Sequence, residues 1–297
     1  MMQENLAVKA PFQVFLDYLE LTKPKLTGLV LATACIGFGL APNRFDVYSL
    51  IISLGYTALV VGGACALNCY LEVDIDAKME RTKDRVLPSG KLDPKKALTF
   101  GLLMLALGLG GLFFFVNLIT GFLGLLATVL YLLSYTPLKQ KSEYAVYVGA
   151  IPGAMPPIMG WTSVTGELNP FAYCLFATLL VWQLPHFWAI SIYHAKDYNS
   201  ANIKVYPNLK GLQKTKRNIF TFTILLALVS ALPILLGETQ PTYSWVCFCL
   251  NVAFIYLSSL GWLKNKEGLS VETWAKNYFY ASIFYLPLLL GGMIFFK

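Results

Sequence analysis

Apolar residues run along this chain in long unbroken stretches, not in the alternation of a strand or the single stripe of a soluble helix. Nine stretches, roughly 26–42, 47–68, 97–116, 118–136, 146–164, 170–191, 219–237, 243–263 and 274–296, approach the about 20 residues a helix needs to cross hydrocarbon. Uniform runs of this kind exclude the period-two pattern of an outer-membrane barrel. The pattern predicts an all-α polytopic membrane protein, a bundle of nine transmembrane helices forming one domain over residues 1–297. Asn117 alone separates the third stretch from the fourth, so the division there rests on a single polar residue.

The polar residues between the stretches are unevenly shared. Two loops, about 69–96 and 192–218, are long and densely charged, whereas others, such as 164–169 and 237–242, are short and plain. With the N-terminus in the cytoplasm, 21 of the 23 lysines and arginines fall on the cytoplasmic side, leaving Arg44 and Lys297 opposite. Such a bias orients the bundle and favours an odd number of spans. The two charged loops follow the second and sixth spans, which suggests two same-sense groups of four helices plus a ninth.

Composition narrows the class. The chain is 57% hydrophobic and 13% charged, against about 25% charged in a soluble domain, so a soluble enzyme and a disordered tail are both excluded. Its net charge of +7 is scattered among apolar runs and not gathered on a basic surface, which argues against nucleic acid as a partner and for the lipid bilayer. The six cysteines lie in or beside apolar segments with no CxxC pair, so no disulfide framework is expected. Residues 1–25 resemble neither a secretory signal nor an Arg- and Ser-rich transit peptide, which favours a bacterial inner membrane over a mitochondrion.

Candidate chemistry gathers on the two charged loops. If the second helix continues past Asn68, then Asn68, Glu72 and Asp76 stand at i, i+4 and i+8, drifting about 40° per step along a stripe about 12 Å long. Three oxygen-bearing side chains in a row suit one or two Mg²⁺ ions bridging a diphosphate, because Mg²⁺ is held by one or two carboxylates together with phosphates and water. Asp74 points elsewhere in this geometry. Lys78, Arg81, Lys83 and Arg85 interleave with the acids, and arginine clamps phosphate through its planar fork. The plainer reading is a solvated loop whose positives set topology and whose acids pair with them. Asn68 weighs against that reading, since a polar side chain at the membrane end of an apolar helix is costly without a task.

The sixth stretch ends Trp182-Gln-Leu-Pro185-His186-Phe187-Trp188, followed by Tyr193, His194, Lys196, Asp197 and Tyr198. His186 and His194 are the two histidines of the chain. His186 among aromatics could meet a flat ligand or be an ordinary hydrogen-bonded histidine. His186 and Tyr193, seven apart, share a face that leads toward Asp197. Pro152, Pro156 and Pro157 would either break the fifth helix and open a cavity or be tolerated as kinks.

Together, Asn68-xxx-Glu72-xxx-Asp76 with Arg81, Arg85 and Pro88-Ser-Gly90 resembles the first motif of the UbiA intramembrane prenyltransferases. Within that superfamily, residues 74–82 (DIDAKMERT), Pro185-His186-Phe187-Trp188 and Asp197-Tyr198 are similar to the protohaem IX farnesyltransferase branch, as are residues 21–25 and 135–139. The sequence departs from that pattern at Glu72, usually Asp, and at Cys69, Val86 and His194. Glu72 keeps the carboxylate with a longer reach.

The resemblance implies a UbiA-type bundle with cytoplasmic active-site loops, using farnesyl diphosphate, haem b and Mg²⁺ to make haem O. It implies Asn68, Glu72, Asp76 and Asp197 as catalytic metal ligands, and Arg81, Arg85, Lys139 and Lys196 as diphosphate-binding residues. His186, Trp182 and Tyr193 are implied at the haem. A haem A synthase or an oxidase-assembly protein would receive the product. Two alternatives are a prenyltransferase acting on a quinone precursor and, from another class, a polytopic transporter.

Overall fold

A computed structural model describes residues 10–42, 46–200, 203–263 and 270–296. Lys9, Arg44, Lys264, Lys266 and Lys297, five of the positives counted above, lie outside these residues. The described residues form helices and no strands: α1 Pro11–Leu21, α2 Pro24–Gly39, α3 Val47–Leu71, α4 Val73–Asp76 and α5 Pro94–Gly111. They continue as α6 Leu118–Val129, α7 Thr136–Leu138, α8 Ala145–Thr165, α9 Pro170–Tyr193, α10 Ala195–Ser200 and α11 Tyr206–Lys210. The last four are α12 Leu212–Ser230, α13 Leu232–Leu235, α14 Pro241–Leu263 and α15 Val271–Phe295.

Each of the nine apolar stretches is helical, yet among the described residues seven helical segments are long and apolar enough to cross a membrane. The other two stretches are α2, with 16 residues, and α8, which carries three prolines. The protein is a multi-pass membrane protein. Polar residues set the helix starts. Asp46 accepts from the amides of Tyr48 and Ser49 to open α3, and Asn169 and Ser270 cap α9 and α15 in the same way. Asn117 proves a true boundary: its backbone is extended, its side chain caps α6 through the Thr120 amide at 2.9 Å, and its amide nitrogen donates to the Thr162 carbonyl at 2.8 Å.

α5 and α6 each widen into a π-helical turn, over Leu112–Val116 and Leu130–Tyr135. α8 is continuous through Pro152, Pro156 and Pro157, so the prolines are tolerated within the helix and do not break it. Small residues let it approach α2 closely, since a Cβ on Gly37 would collide with the Pro157 carbonyl and one on Gly160 with the Ala34 carbonyl. The main core joins α8, α9, α12, α14 and α15 around Trp161, Trp188, Tyr278 and Leu289. A smaller core of Leu21, Ala66, Cys69, Val86, Leu87 and Ala97 seats the first charged loop on the bundle.

Candidate active site

A cavity of about 980 Å³ lies inside the bundle, at the upper end of ordinary ligand pockets. Its interior wall is apolar and aromatic, with Val60, Ala64, Met155, Met159, Tyr131 and Phe187. At its polar end stand Lys23, Asn68, Glu72, Asp76, Arg81, Arg85 and Lys139. α3 stops at Leu71, and Glu72 serves as both its C-cap and the N-cap of α4. The expected stripe therefore bends at its middle residue. All three oxygen-bearing side chains are nevertheless buried and line the one cavity.

Each of the three is met by a cation from a different part of the chain. Lys23 Nζ donates to Asn68 Oδ1 at 2.6 Å, while Asn68 Nδ2 donates to Thr136 Oγ1 at 3.2 Å. Lys139 Nζ lies 3.2 Å from both Glu72 oxygens, and Arg85 Nη1 lies 2.8 Å from Asp76 Oδ2. Thr82 Oγ1 closes the turn by donating to the Asp76 carbonyl at 2.8 Å. The Glu20 carboxylate accepts from the Val86 amide at 3.1 Å and ties α1 to the same loop. Burial pulls the Lys139 ammonium down, but Tyr135 and Glu72 outweigh it and the group titrates above the ordinary lysine value. Asp74 is exposed, as its helical phase predicted.

Lys23 is the residue that sequence reasoning passed over. It was counted only toward topology and the likeness of residues 21–25, yet it reaches Asn68 from the α1–α2 elbow. Its backbone is left-handed, at φ 48°, ψ 64°, the one non-glycine with positive φ among the described residues. Such strain persists where the surroundings fix it, and Pro24 directly after it was the available signal.

The second loop contributes differently from the expectation. Tyr198, Lys204 and Tyr206 line the cavity, but Lys196 and Asp197 do not. Lys196 is exposed, and Asp197 lies 3.8 Å from His194 Nδ1. Trp182, His186 and Tyr193 are likewise absent from the wall. Trp182 Nε1 donates to the Ser282 carbonyl at 2.9 Å, His186 Nδ1 lies 2.6 Å from Ser282 Oγ, and Lys276 stands 5.6 Å from the centre of the Tyr193 ring. His186 and Tyr193 share one face of α9, as expected, and Trp182 lies on it too, but this face packs on α15. The cavity face carries Gln183, Phe187, Ile190 and Ser191. The reason is helical phase, since one residue turns a side chain by about 100°.

Among the described residues no three His, Cys, Asp or Glu side chains converge as a ready-made metal cage. The donor set still fits Mg²⁺. Asn68, Glu72 and Asp76 present hard oxygen atoms to one cavity beside cations suited to phosphate, and Mg²⁺ usually completes its shell from substrate phosphates and water.

A helical membrane bundle whose cavity joins carboxylates and cations to an apolar interior has the makings of a prenyl-transferring enzyme. The UbiA prenyltransferase family matches residues 30–286, and the chain belongs to that family. A protoheme IX farnesyltransferase of Anaeromyxobacter sp. (strain Fw109-5) is 42% identical over 277 residues, covering 93% of this chain and 92% of that one. The protein of the same name from Myxococcus xanthus (strain DK1622) is 37% identical, with 93% of each chain covered. Among solved structures, one of a digeranylgeranylglyceryl phosphate synthase superposes with a TM-score of 0.80 at 18% identity, over 95% of this chain and 97% of that one. A UbiA homologue from Archaeoglobus fulgidus bound to GPP and Mg²⁺ gives 0.65 at 14%, over 93% and 99%. The two structures share the fold.

Proposed function

We propose that this enzyme transfers the farnesyl group of farnesyl diphosphate to a vinyl group of haem b, with addition of water, giving haem O and diphosphate. The observation that carries the reading is the cavity itself, polar at one end and aromatic within, in a chain matched along nearly its whole length by protoheme IX farnesyltransferases. The two charged loops, 69–96 and 192–218, face the cytoplasm, as the distribution of lysine and arginine favours. A haem A synthase or oxidase-assembly protein is the partner such a product calls for.

Lys23, Arg81, Arg85 and Lys139 grip the diphosphate at the polar end. Asn68, Glu72 and Asp76 would hold Mg²⁺. That ion would supply further neutralisation of the leaving group. As the allylic C1–O bond breaks, its electron pair leaves with the diphosphate, and the fixed cations stabilise the charge gathering there. Tyr131 and Tyr135, stacked with ring centres 5.8 Å apart, and the apolar wall keep water from C1. The terminal vinyl carbon of the haem bonds to C1 instead. The positive charge passes to the carbon next to the ring, which takes the oxygen of a water molecule as one proton is released. Trp182 and His186, both tied to Ser282, act through α9 by fixing the helix that presents Phe187 and Trp188.

The test is to incubate membranes containing the protein with haem b, farnesyl diphosphate and Mg²⁺, then to separate the extracted haems by chromatography. Haem O is expected. Its absence, with a prenylated phenol formed in a parallel incubation supplied with hydroxybenzoate, overturns the reading.

A further inference from the structure

Gln183 lines the cavity from α9 and is 5% exposed. Its Nε2 donates to the Ala150 and Leu179 carbonyls, each at 3.1 Å. Two acceptors on one nitrogen fix which way the amide faces, because only the NH₂ end can donate. The other end, Oε1, meets no donor among the described residues, yet unlike the unpaired Trp188 Nε1 it is not sealed from the cavity. Gly153 makes room for this oxygen, since a Cβ there would come within 2.0 Å of it. Gly149 meets the Tyr135 ring in the same way, which sets Gln183 one turn of α8, about 6 Å, beyond the level of Tyr135. Around it the wall is apolar, with Met155, Pro156 and Phe187. A carbonyl left unpaired in such a wall calls for a donor that arrives with the reactants. Haem b has no N–H, because its ring nitrogens are bound to iron, and ionised propionates and the diphosphate only accept. Water is the reactant that donates.

We infer that Gln183 Oε1 holds the water molecule that completes the reaction, and so directs it to the alcohol. The inference rests on the proposed function. Once the terminal vinyl carbon has bonded to C1 of the prenyl chain, the carbon next to the ring is positive and has two exits. In one, a lone pair of the held water forms the C–O bond and that water's proton passes to a further water. In the other, the adjacent carbon gives up a proton and an alkene forms, lighter than haem O by one water. An amide oxygen orients a water through a hydrogen bond, yet it is too weak a base to take the proton that would yield the alkene.

The experiment measures the ratio of haem O to the alkene, by chromatography and mass of the extracted haems, for protein in lipid nanodiscs supplied with haem b, farnesyl diphosphate and Mg²⁺. Such a ratio does not depend on how much enzyme is folded. In Gln183→Met, which keeps the length and loses the carbonyl, it is expected to fall about tenfold, as for one hydrogen bond lost from the transition state for hydration. KM for farnesyl diphosphate should not change. Gly153→Ala leaves Gln183 in place and pushes Oε1 aside, so it should shift the ratio in the same direction, and it decides the matter if Gln183→Met does not accumulate in the membrane. The parent ratio in both variants overturns the inference and leaves the proposed activity standing. A parent that forms neither product refutes the proposed activity, and the inference with it.

Discussion

Lys139 holds its ammonium 3.2 Å from each oxygen of Glu72, across 67 residues of sequence and at the ends of two different helical segments. The Glu72 side chain is 4% exposed and that of Lys139 27%, so the pair lies between a surface bridge and a buried one. Removing one partner from a buried pair costs about 3–5 kcal/mol, and from an exposed pair about 1 kcal/mol or less. Lys139→Met is therefore expected to lower the melting temperature of the purified protein by an amount between these limits. The double variant Glu72→Gln/Lys139→Met should recover part of that loss, because no charge is left unpaired, while turnover stays low in both. Equal melting in all three proteins would show that the pair adds nothing to stability.

Asp76 carries the sharpest test of the metal assignment. Its carboxylate is buried and held by Arg85 at 2.8 Å, so Asp76→Asn keeps size and hydrogen bonding but removes a hard anionic donor. The expected outcome is a fall in turnover of about 100-fold or more, the scale of losing one electrostatic contact to a transition state, with the usual amount of protein in the membrane. Chelation should abolish parent activity, and added Mg²⁺ should restore it. Retained turnover in Asp76→Asn would remove Asp76 from the metal site.

Lys23 separates backbone strain from side-chain function. Its positive φ is one that glycine adopts freely, so Lys23→Gly releases strain worth about 1–3 kcal/mol while deleting the ammonium. It is expected to melt no lower than Lys23→Met, and both should raise KM for farnesyl diphosphate about tenfold, as for one charge-assisted contact. A normal KM in either would confine Lys23 to holding Asn68.

Much of the first loop was legible because its signal was periodic and polar. The spacing of Asn68, Glu72 and Asp76 indicated a shared face, and their common cavity survives the bend at Glu72 because one turn of α4 continues the rise. The cations that meet them were less legible. Arg85 is nine residues from Asp76, but Lys23 and Lys139 arrive from other helices, and no local pattern encodes a contact across 45 or 67 residues. On α9 the spacing put His186 and Tyr193 on one face but left open where that face looks. α9 is apolar around its whole circumference, so its pattern cannot say which face looks inward. His186 drew attention by its chemistry, whereas Gln183, on the cavity wall, belonged to no motif that singled it out.

His194 follows α9 at the mouth of the second loop, where burial, and then Arg81, hold its imidazole below the ordinary 6.5, against Asp197 and Glu272, which pull it back. In the unfolded chain it protonates near its usual value, about 6.5. Between that pH and the lower folded value the unfolded state binds more protons, so stability rises with pH there. The contribution is complete above about pH 6.5 and is lost as acid carries the pH down through the folded value. Melting curves between pH 7.5 and about 5 should therefore show a falling melting temperature. His194→Gln should flatten part of that fall while leaving the plateau near neutrality in place. A variant whose acid limb is as steep as the parent's would assign the loss to carboxylates, and a parent that gains stability on acidification would mean that Asp197 and Glu272 outweigh burial and Arg81 at this histidine.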